Sequence, residues 1–231
     1  MVAFIDGFPR DTSVLDLGCG AGWLLGVLKA RGFLNVRGLE IVASVAAIVQ
    51  SKGIPVVVED VVEMLSSSSL SEGFRPDIVV LSELLEHLPD PVAVLRAVRT
   101  QLKPRLVLAT TPSRDRWAVR MKVRPLGDYP PGHIWRWTKQ GLLLAFERAG
   151  YTEVTVRPTK PDGREIWLQL LNLATAGGKR GNSGGRISDF LVRNVDFTVP
   201  VAGVILQPLA LVLRLMRMEG RSLWISARAE M

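Results

Sequence analysis

The sequence predicts an α/β fold built around a doubly wound, mostly parallel sheet. Short apolar runs alternate with helical segments, the links are short, and each run is apolar at consecutive positions. Consecutive apolar positions are typical of strands that helices cover on both faces. Seven strands are predicted, at residues 14–17, 35–41, 55–58, 76–81, 105–110, 151–157 and 222–227.

Capping residues and glycines indicate the helix boundaries. The segment at residues 23–28 predicts a helix that begins directly after a glycine-rich turn and that Arg31-Gly32 terminates. A helix over residues 91–101 is expected because Asp90 is a favourable N-cap and Pro91 suits the first helical position. Further helices are predicted at residues 43–52 and 138–149. In such sheets, ligands bind beyond the C-terminal ends of the strands.

Composition limits the function classes. The chain has 231 residues, a net charge of +7 and one cysteine, Cys19. A single cysteine excludes an intrachain disulfide framework and agrees with a cytoplasmic setting. Residues 114–139 hold seven Lys or Arg side chains against Asp115 and Asp128. This basic segment suits an anionic partner, although a solvated charged face explains it equally well.

The chain is organised around the turn that follows the first strand. Asp16 ends an apolar run, and Gly18, Gly20 and Gly22 follow at alternate positions before a helix begins at Trp23. Glycine permits tight turns and leaves no Cβ between the backbone and a ligand. A strand, a glycine turn and a helix N-terminus together form a cradle for a nucleotide-like ligand. The spacing is G-x-G-x-G, which departs from the dinucleotide fingerprint.

This motif resembles that of the class I S-adenosylmethionine (SAM)-dependent methyltransferases. The resemblance spans about residues 12–157 and implies a Rossmann-like sheet whose last strand is antiparallel beside the sixth. It also implies that SAM is the cofactor and that the turn approaches its methionine part. The residues assigned to that contact are Asp16, Gly18, Cys19, Gly20 and Gly22. Cys19 is interpreted as a small residue that fits the turn, since the sequence places no base beside it.

Two further acidic residues follow strands two and three. Glu40 lies 18 residues after Gly22, where a carboxylate can accept hydrogen bonds from both ribose hydroxyls. Asp60 matches the family position that accepts from the adenine amino group, with the backbone amide of Val61 as donor. Ile41 and Ser82, at the ends of strands two and four, complete the predicted cofactor site. The rival class is a nucleotide-binding oxidoreductase, which would bind NAD(P) instead of SAM.

The segment after strand four contains the predicted catalytic residues. Glu83, Glu86 and His87 are expected on one helical turn, which would bring the three side chains together. His87 is the best candidate for a base, and a glutamate would orient it. With His133, the later histidine, the same residues form a set that could hold a divalent ion. A pocket-lining role without a metal is the alternative interpretation.

Two subgroups of the family share parts of this segment. Glu83-x-x-Glu86-His87, with a later His133, resembles the metal-dependent small-RNA 2′-O-methyltransferases. Residues 86–91 are similar to the quinone-biosynthesis O-methyltransferases. From the ordered cofactor site together with the apolar C-terminal insertion, we expect methyl transfer from SAM to a small or lipid-like acceptor, at oxygen. The alternatives are metal-dependent methylation of an RNA ribose and a SAM-binding protein without turnover.

The C-terminal third is expected to carry an insertion. The predicted parts are a SAM-binding core at residues 1–157, an apolar helical insertion at 158–220, and a last strand at 221–231 that returns to the sheet. A flexible link is predicted at residues 177–185. Residues 197–216 are almost wholly apolar, which predicts a helical hairpin. This hairpin would cap the pocket, lie on a membrane surface or form a homodimer contact. An apolar cover beside the basic segment suits a lipid-like acceptor better than it suits RNA.

Overall fold

The computed structural model describes residues 1–67, 74–121, 130, 132–177 and 195–229. The chain divides into two compact units. The first comprises Met1–Thr111, Lys139–Arg157 and Trp224–Met231, and the second comprises Pro112–Thr138 and Pro158–Leu223. Residues 112–138, which the sequence analysis assigned to the core segment, thus cluster with residues 158–223.

Seven strands of the described chain form one sheet, in the order β3-β2-β1-β4-β5-β7-β6. Strand β1 lies between β2 and β4, and both neighbours are parallel to it. The pairs β2–β3 and β4–β5 are also parallel. The strands are β1 (Val14–Leu17), β2 (Val36–Glu40), β3 (Val56–Val58), β4 (Ile78–Ser82), β5 (Leu106–Pro112), β6 (Thr152–Pro158) and β7 (Ser222–Arg228).

Strand β7 runs antiparallel to β6. At one end the amide of Thr159 donates to the carbonyl of Ser222, and at the other Arg228 forms an ion pair with Glu153. Residue numbers therefore rise along one strand as they fall along the other. The predicted sheet, mostly parallel with one antiparallel strand, is confirmed.

Helices of the first unit cover the sheet. They are α1 (Val2–Ile5), α2 (Trp23–Ala30), α3 (Ala43–Gln50), α4 (Val61–Ser67), α5 (Pro91–Ala97) and α7 (Lys139–Arg148). Helix α5 begins as predicted, because the Asp90 carboxylate accepts from the Ala93 amide at 2.9 Å and Pro91 occupies the first turn. It continues as a π-helical segment, Val98–Leu102, instead of a regular α-helix.

The core of the first unit lies around β1. Val14, Val36, Ile78 and Val80 come from three adjacent strands and pack in one buried cluster. Leu25 and Leu28 of α2 belong to the same cluster. Because Gly22 is the N-cap of α2 and this packing holds α2, the glycine turn between β1 and α2 is fixed at both ends.

The second unit contains helices α6 (Trp117–Arg120), α8 (Gly163–Gly177), α9 (Val195–Ile205) and α10 (Gln207–Leu215). A separate buried cluster comprises Trp117, Ala118, Ile166, Ala210 and Leu213. Helices α9 and α10 are joined at Leu206 and occupy most of the predicted apolar stretch. The predicted link at residues 177–185 lies, beyond Gly177, outside the described residues.

None of the helices in the described part of the chain has the length and apolar character needed to cross a bilayer. Helices α9 and α10 contain 11 and 9 residues. A transmembrane helix needs about 20 apolar residues.

Helices α8 and α9 approach closely through two glycines. A Cβ added at Gly163 would collide with the backbone carbonyl of Gly203 and lie 3.0 Å from the amide nitrogen of Gln207. Backbone atoms cannot move aside as a flexible side chain does. The crossing therefore requires glycine at residue 163.

We predict that Gly163→Ala lowers the free energy of unfolding by about 1–3 kcal/mol, because the added methyl overpacks the crossing. The matched control is Gly26→Ala in α2, where an added Cβ meets nothing within 4 Å. This control should be neutral or stabilising by about 0.5–1 kcal/mol. Urea titration of both variants, followed by circular dichroism, checks the prediction, and equal stability of the two would contradict it.

Candidate functional site

The candidate site lies in the first unit, at the C-terminal ends of β1, β2 and β4. Asp16 of β1 is paired in register with Gly38 of β2 and Val80 of β4. Because the three strands are parallel, Asp16, Glu40 and Ser82 lie towards the same edge of the sheet. This is the edge at which doubly wound sheets bind ligands.

The turn after β1 depends on left-handed glycines. Gly18, Gly20 and Gly22 have φ values of 72°, 53° and 70°. A Cβ at Gly22 would lie 2.6 Å from Cγ1 of Val49, so α3 packs directly against this glycine. An added Cβ at Gly20 would meet nothing within 4 Å. Gly22 thus serves packing, whereas Gly20 leaves open space beside the backbone.

The Glu40 carboxylate connects this turn to the end of β2. Its Oε2 accepts from the Gly20 amide at 2.9 Å, and its Oε1 accepts from the Val42 amide at 3.0 Å. Glu40 is only 9% exposed. An ionised carboxylate offers about four acceptor positions. Each oxygen therefore retains one for a ligand hydroxyl.

Asp16 is the most perturbed acid of the site. It is 3% exposed, and its Oδ1 has no hydrogen-bond partner among the described residues. Burial, and secondly the nearby Glu40 charge, raise the pKa of the Asp16 carboxyl to about 7. A buried acid without a partner for one oxygen, beside a second acid, fits a ligand that carries positive charge.

Cys19 is buried within the turn and is a packing residue. Burial, followed by the Asp16 and Glu40 charges, raises the pKa of its thiol to about 12. The thiol is therefore protonated at neutral pH and is a poor nucleophile. A Cβ at Gly38 would lie 2.6 Å from the Cys19 Sγ. Gly38 therefore makes room for Cys19, a requirement that the sequence analysis did not identify.

Asp60, the acidic residue after β3, is the N-cap of helix α4. The Asp60 Oδ1 accepts from the Val62 amide at 2.7 Å and from the Glu63 amide at 3.4 Å, which caps the start of α4. Val61 is buried as the first residue of that helix. Ile41, directly after Glu40, is 60% exposed. An exposed apolar side chain next to the Glu40 carboxylate is suited to contact with a flat ligand ring.

The ends of β4 and β5 form a second polar group. The hydroxyls of Ser82 and Thr110 lie 3.0 Å apart, and the Glu83 amide donates to the Thr110 carbonyl at 2.8 Å. Glu83 has a φ of 53°, a conformation that costs about 1–3 kcal/mol in a residue other than glycine and often marks a functional site. Thr110 was missed by the sequence analysis. Its position at the end of an apolar strand was the available signal.

Glu83, Glu86 and His87 do not share the predicted helical turn. The positive φ of Glu83 precedes a separate tight turn, in which the His87 amide donates to the Leu84 carbonyl at 2.9 Å. Glu86 is 1% exposed, whereas His87 is exposed. A carboxylate oxygen of Glu86 nevertheless lies within 4.8 Å of a ring nitrogen of His87. His133 belongs to the second unit, so the predicted metal set has members in both units.

The family described as methyltransferase domain matches residues 2–156, about two thirds of the chain. The chain belongs to this family. It is a SAM-dependent methyltransferase, and the predicted family, enzyme class and cofactor are confirmed. The orphaned Asp16 oxygen and the open side of Gly20 fit that cationic cofactor.

Among the curated relatives of this methyltransferase is the ubiquinone biosynthesis O-methyltransferase of Histophilus somni (strain 2336), 27% identical over 163 residues. That alignment covers 61% of the chain and 68% of the relative. The enzyme of the same name from Serratia proteamaculans (strain 568) is 35% identical over 96 residues, 41% of the chain and 39% of the relative.

A solved SAM-dependent methyltransferase from Archaeoglobus fulgidus has a TM-score of 0.61 and 19% identity, with 98% of this chain and 90% of that one covered. Phosphoethanolamine N-methyltransferase 2 of Haemonchus contortus, solved with SAM, has a TM-score of 0.61 at 13% identity. That match covers 100% of this chain and 51% of the Haemonchus contortus chain. At these identities the likeness is one of fold.

The raised pKa of Asp16 makes stability depend on pH. Between about pH 4 and pH 7 the folded protein retains a proton that the unfolded chain has lost, so the free energy of unfolding falls as pH rises through this window. We predict that this methyltransferase loses up to about 4 kcal/mol relative to Asp16→Asn across the window. Urea denaturation at several pH values measures the difference, and identical pH profiles would contradict the assignment.

Proposed function

We propose that this methyltransferase transfers the methyl group of SAM to an oxygen atom of a small or lipid-like acceptor. The observation that carries the proposal is the acidic edge of the first unit, where a partly unsatisfied Asp16 lies beside a glycine turn held by Glu40. The names of the curated relatives support oxygen as the methylated atom.

Each residue of the acidic edge would contact a different part of the cofactor. Asp16 and the backbone of Gly18 and Gly20, with Cys19 and Gly22 shaping the turn, would hold the positively charged methionine part. The two remaining acceptor positions of Glu40 would take the ribose hydroxyls. The adenine would lie against Ile41, with the Asp60 carboxylate, the Val61 amide and the Ser82 hydroxyl as its polar partners. Since helix α4 uses the Asp60 Oδ1, the other Asp60 oxygen would accept from the adenine amino group.

SAM supplies, when bound, an electrophilic methyl group on a sulfonium centre. The chain must then position the acceptor hydroxyl and take its proton. His87 suits this role because its ring is exposed at the same strand edge and an imidazole nitrogen can accept a proton. The buried Glu86 carboxylate, within 4.8 Å of the His87 ring, would orient it and stabilise its protonated form. Glu83 is the alternative candidate for orienting His87, and His133, in the second unit, stays a predicted catalytic residue.

We predict that Glu40→Gln weakens SAM binding by at least about tenfold. The amide retains one acceptor oxygen, so the variant loses the bond from either the Gly20 amide or the Val42 amide, together with the ribose position on the replaced oxygen. Glu63→Gln is the matched control, since Glu63 is an exposed glutamate in the first turn of α4. Isothermal titration calorimetry with SAM and with NAD⁺ measures both variants. Unchanged SAM affinity of Glu40→Gln in a protein of unchanged melting temperature would refute the cofactor assignment.

His87→Ala should lower kcat by about 10²–10⁴-fold and leave SAM affinity unchanged, because it removes the proton acceptor only. Each variant is incubated with labelled SAM and, separately, with hydroxylated small molecules, lipids or RNA, and the transfer of label to the acceptor is measured. Ala variants of Glu83, Glu86 and His133 are tested beside it. Labelling of RNA 3′ ends that a chelator abolishes would instead support ribose methylation and overturn the small-acceptor proposal.

A further inference from the structure

Helices α9 and α10 of the second unit expose a closely spaced series of large apolar side chains, which we call the α9–α10 apolar face. Their exposed fractions run from 44% to 76%, and Leu215 is the most exposed. The members are Val201, Val204, Ile205, Leu209, Leu211, Val212, Leu215 and Met216. Isolated exposed apolar residues are ordinary, but a closely spaced series on two consecutive helices points to an interaction surface.

The pattern along α10 shows that this exposure is not an edge effect of the core. Ala210 and Leu213 are buried and pack with Trp117 and Ile166. At 100° per residue, Leu211, Val212 and Leu215 point away from that side of the helix. A helix on a water-exposed surface normally carries polar residues there. Helix α10 is therefore apolar both towards its own core and away from it.

A basic cleft of about 430 Å³ adjoins the C-terminal end of this face. Its lining includes Lys160, Arg214 and Arg217, and Glu219 is the acidic member among the described lining residues. Glu219 is already engaged, since its Oε2 accepts from the Ser113 hydroxyl at 2.6 Å. Arg214 is anchored through its Nε, which donates to the Pro161 carbonyl at 2.6 Å. The cleft therefore presents a surplus of positive charge.

Apolar and basic side chains lie next to one another where α10 ends. Arg214, Leu215, Met216 and Arg217 are consecutive and all exposed. We propose that the α9–α10 apolar face inserts into the interfacial layer of a membrane and that the basic cleft binds the phosphate of an anionic phospholipid. Amphipathic helices bind bilayers in this way, through buried apolar area together with cations near the headgroups.

Charge complementarity favours a lipid surface over a second copy of the chain. In a two-fold contact the same patch would face itself, which would bring Lys160, Arg214 and Arg217 of one copy near those of the other. Like charges held together at an interface disfavour association. An anionic lipid surface supplies the opposite charge to the same cations. The inference is independent of the proposed function, because it requires neither SAM nor an acceptor.

The test is co-sedimentation of the full chain with vesicles of phosphatidylcholine alone and with 30% phosphatidylglycerol. We expect binding to the anionic vesicles that weakens with added salt. Leu211→Ser/Leu215→Ser and Lys160→Glu/Arg217→Glu should each weaken it by at least about tenfold. Circular dichroism and melting temperature establish that each variant is folded.

Two double variants in the first unit serve as matched controls and should bind as the unaltered protein does. Ile48→Ser/Leu144→Ser changes two apolar residues that are each 47% exposed. Lys103→Glu/Arg105→Glu makes the same charge change, and Lys103, like Arg217, has a positive φ. Absence of binding to either vesicle, equal weakening by the controls, or binding that ignores lipid charge would overturn the proposal. So would a dimer in light scattering that Leu211→Ser/Leu215→Ser dissociates without any vesicle binding.

Discussion

The hydrogen bonds of the Glu40 carboxylate are the constraint on which the site depends. One oxygen holds the amide of Gly20 and the other holds the amide of Val42, so a single side chain joins the turn after β1 to the segment after β2. Without this connection, the open backbone at Gly20 and the buried Asp16 would not keep a common geometry. The glycines permit the turn, but the Glu40 carboxylate fixes its position relative to β2.

The same edge of the sheet combines an unfavourable arrangement of charge, which a bound cation would relieve, with a strained backbone. Asp16 is buried near Glu40, and burial raises its pKa to about 7. Glu83, after β4, has a positive φ. Destabilising electrostatics and strained backbone are tolerated in proteins where the surrounding fold holds them in place, and such features concentrate at functional sites. In this chain the apolar cluster around β1 provides that support.

The second unit has a different physical character. The buried cluster among its described residues is small, and α10 contributes Ala210 and Leu213 to it while exposing further apolar side chains. The hydrophobic effect would favour covering those side chains, and a bilayer interface would do so without requiring a transmembrane helix. In the proposed membrane contact, the basic cleft at the end of α10 would select the sign of the lipid charge.

Local chemistry in the sequence determined most of the fold. Apolar runs, the glycine spacing and the Asp90–Pro91 cap depend on near neighbours, so strands, helix starts and the acidic positions Asp16 and Glu40 could be predicted. The antiparallel last strand beside β6 followed from the family resemblance, whereas the order of the seven strands came from the structure. The structure decided what depends on residues distant in sequence: the Ser82–Thr110 pair, the space that Gly38 leaves for Cys19, and the capping role of Asp60.

The tertiary structure also decided which apolar residues are buried. The sequence of α10 is apolar around most of its circumference, so periodicity could not tell a core-facing side from an exposed one. Only packing against Trp117 and Ile166 selects Ala210 and Leu213 for the core and leaves Leu211 and Leu215 outside. Likewise, the sequence predicted that Glu83 shares a helical turn with Glu86 and His87. In the structure the Glu83 amide instead donates a hydrogen bond to the Thr110 carbonyl, and Glu83 has a positive φ. This contact joins residues distant in sequence, so no local pattern encodes it.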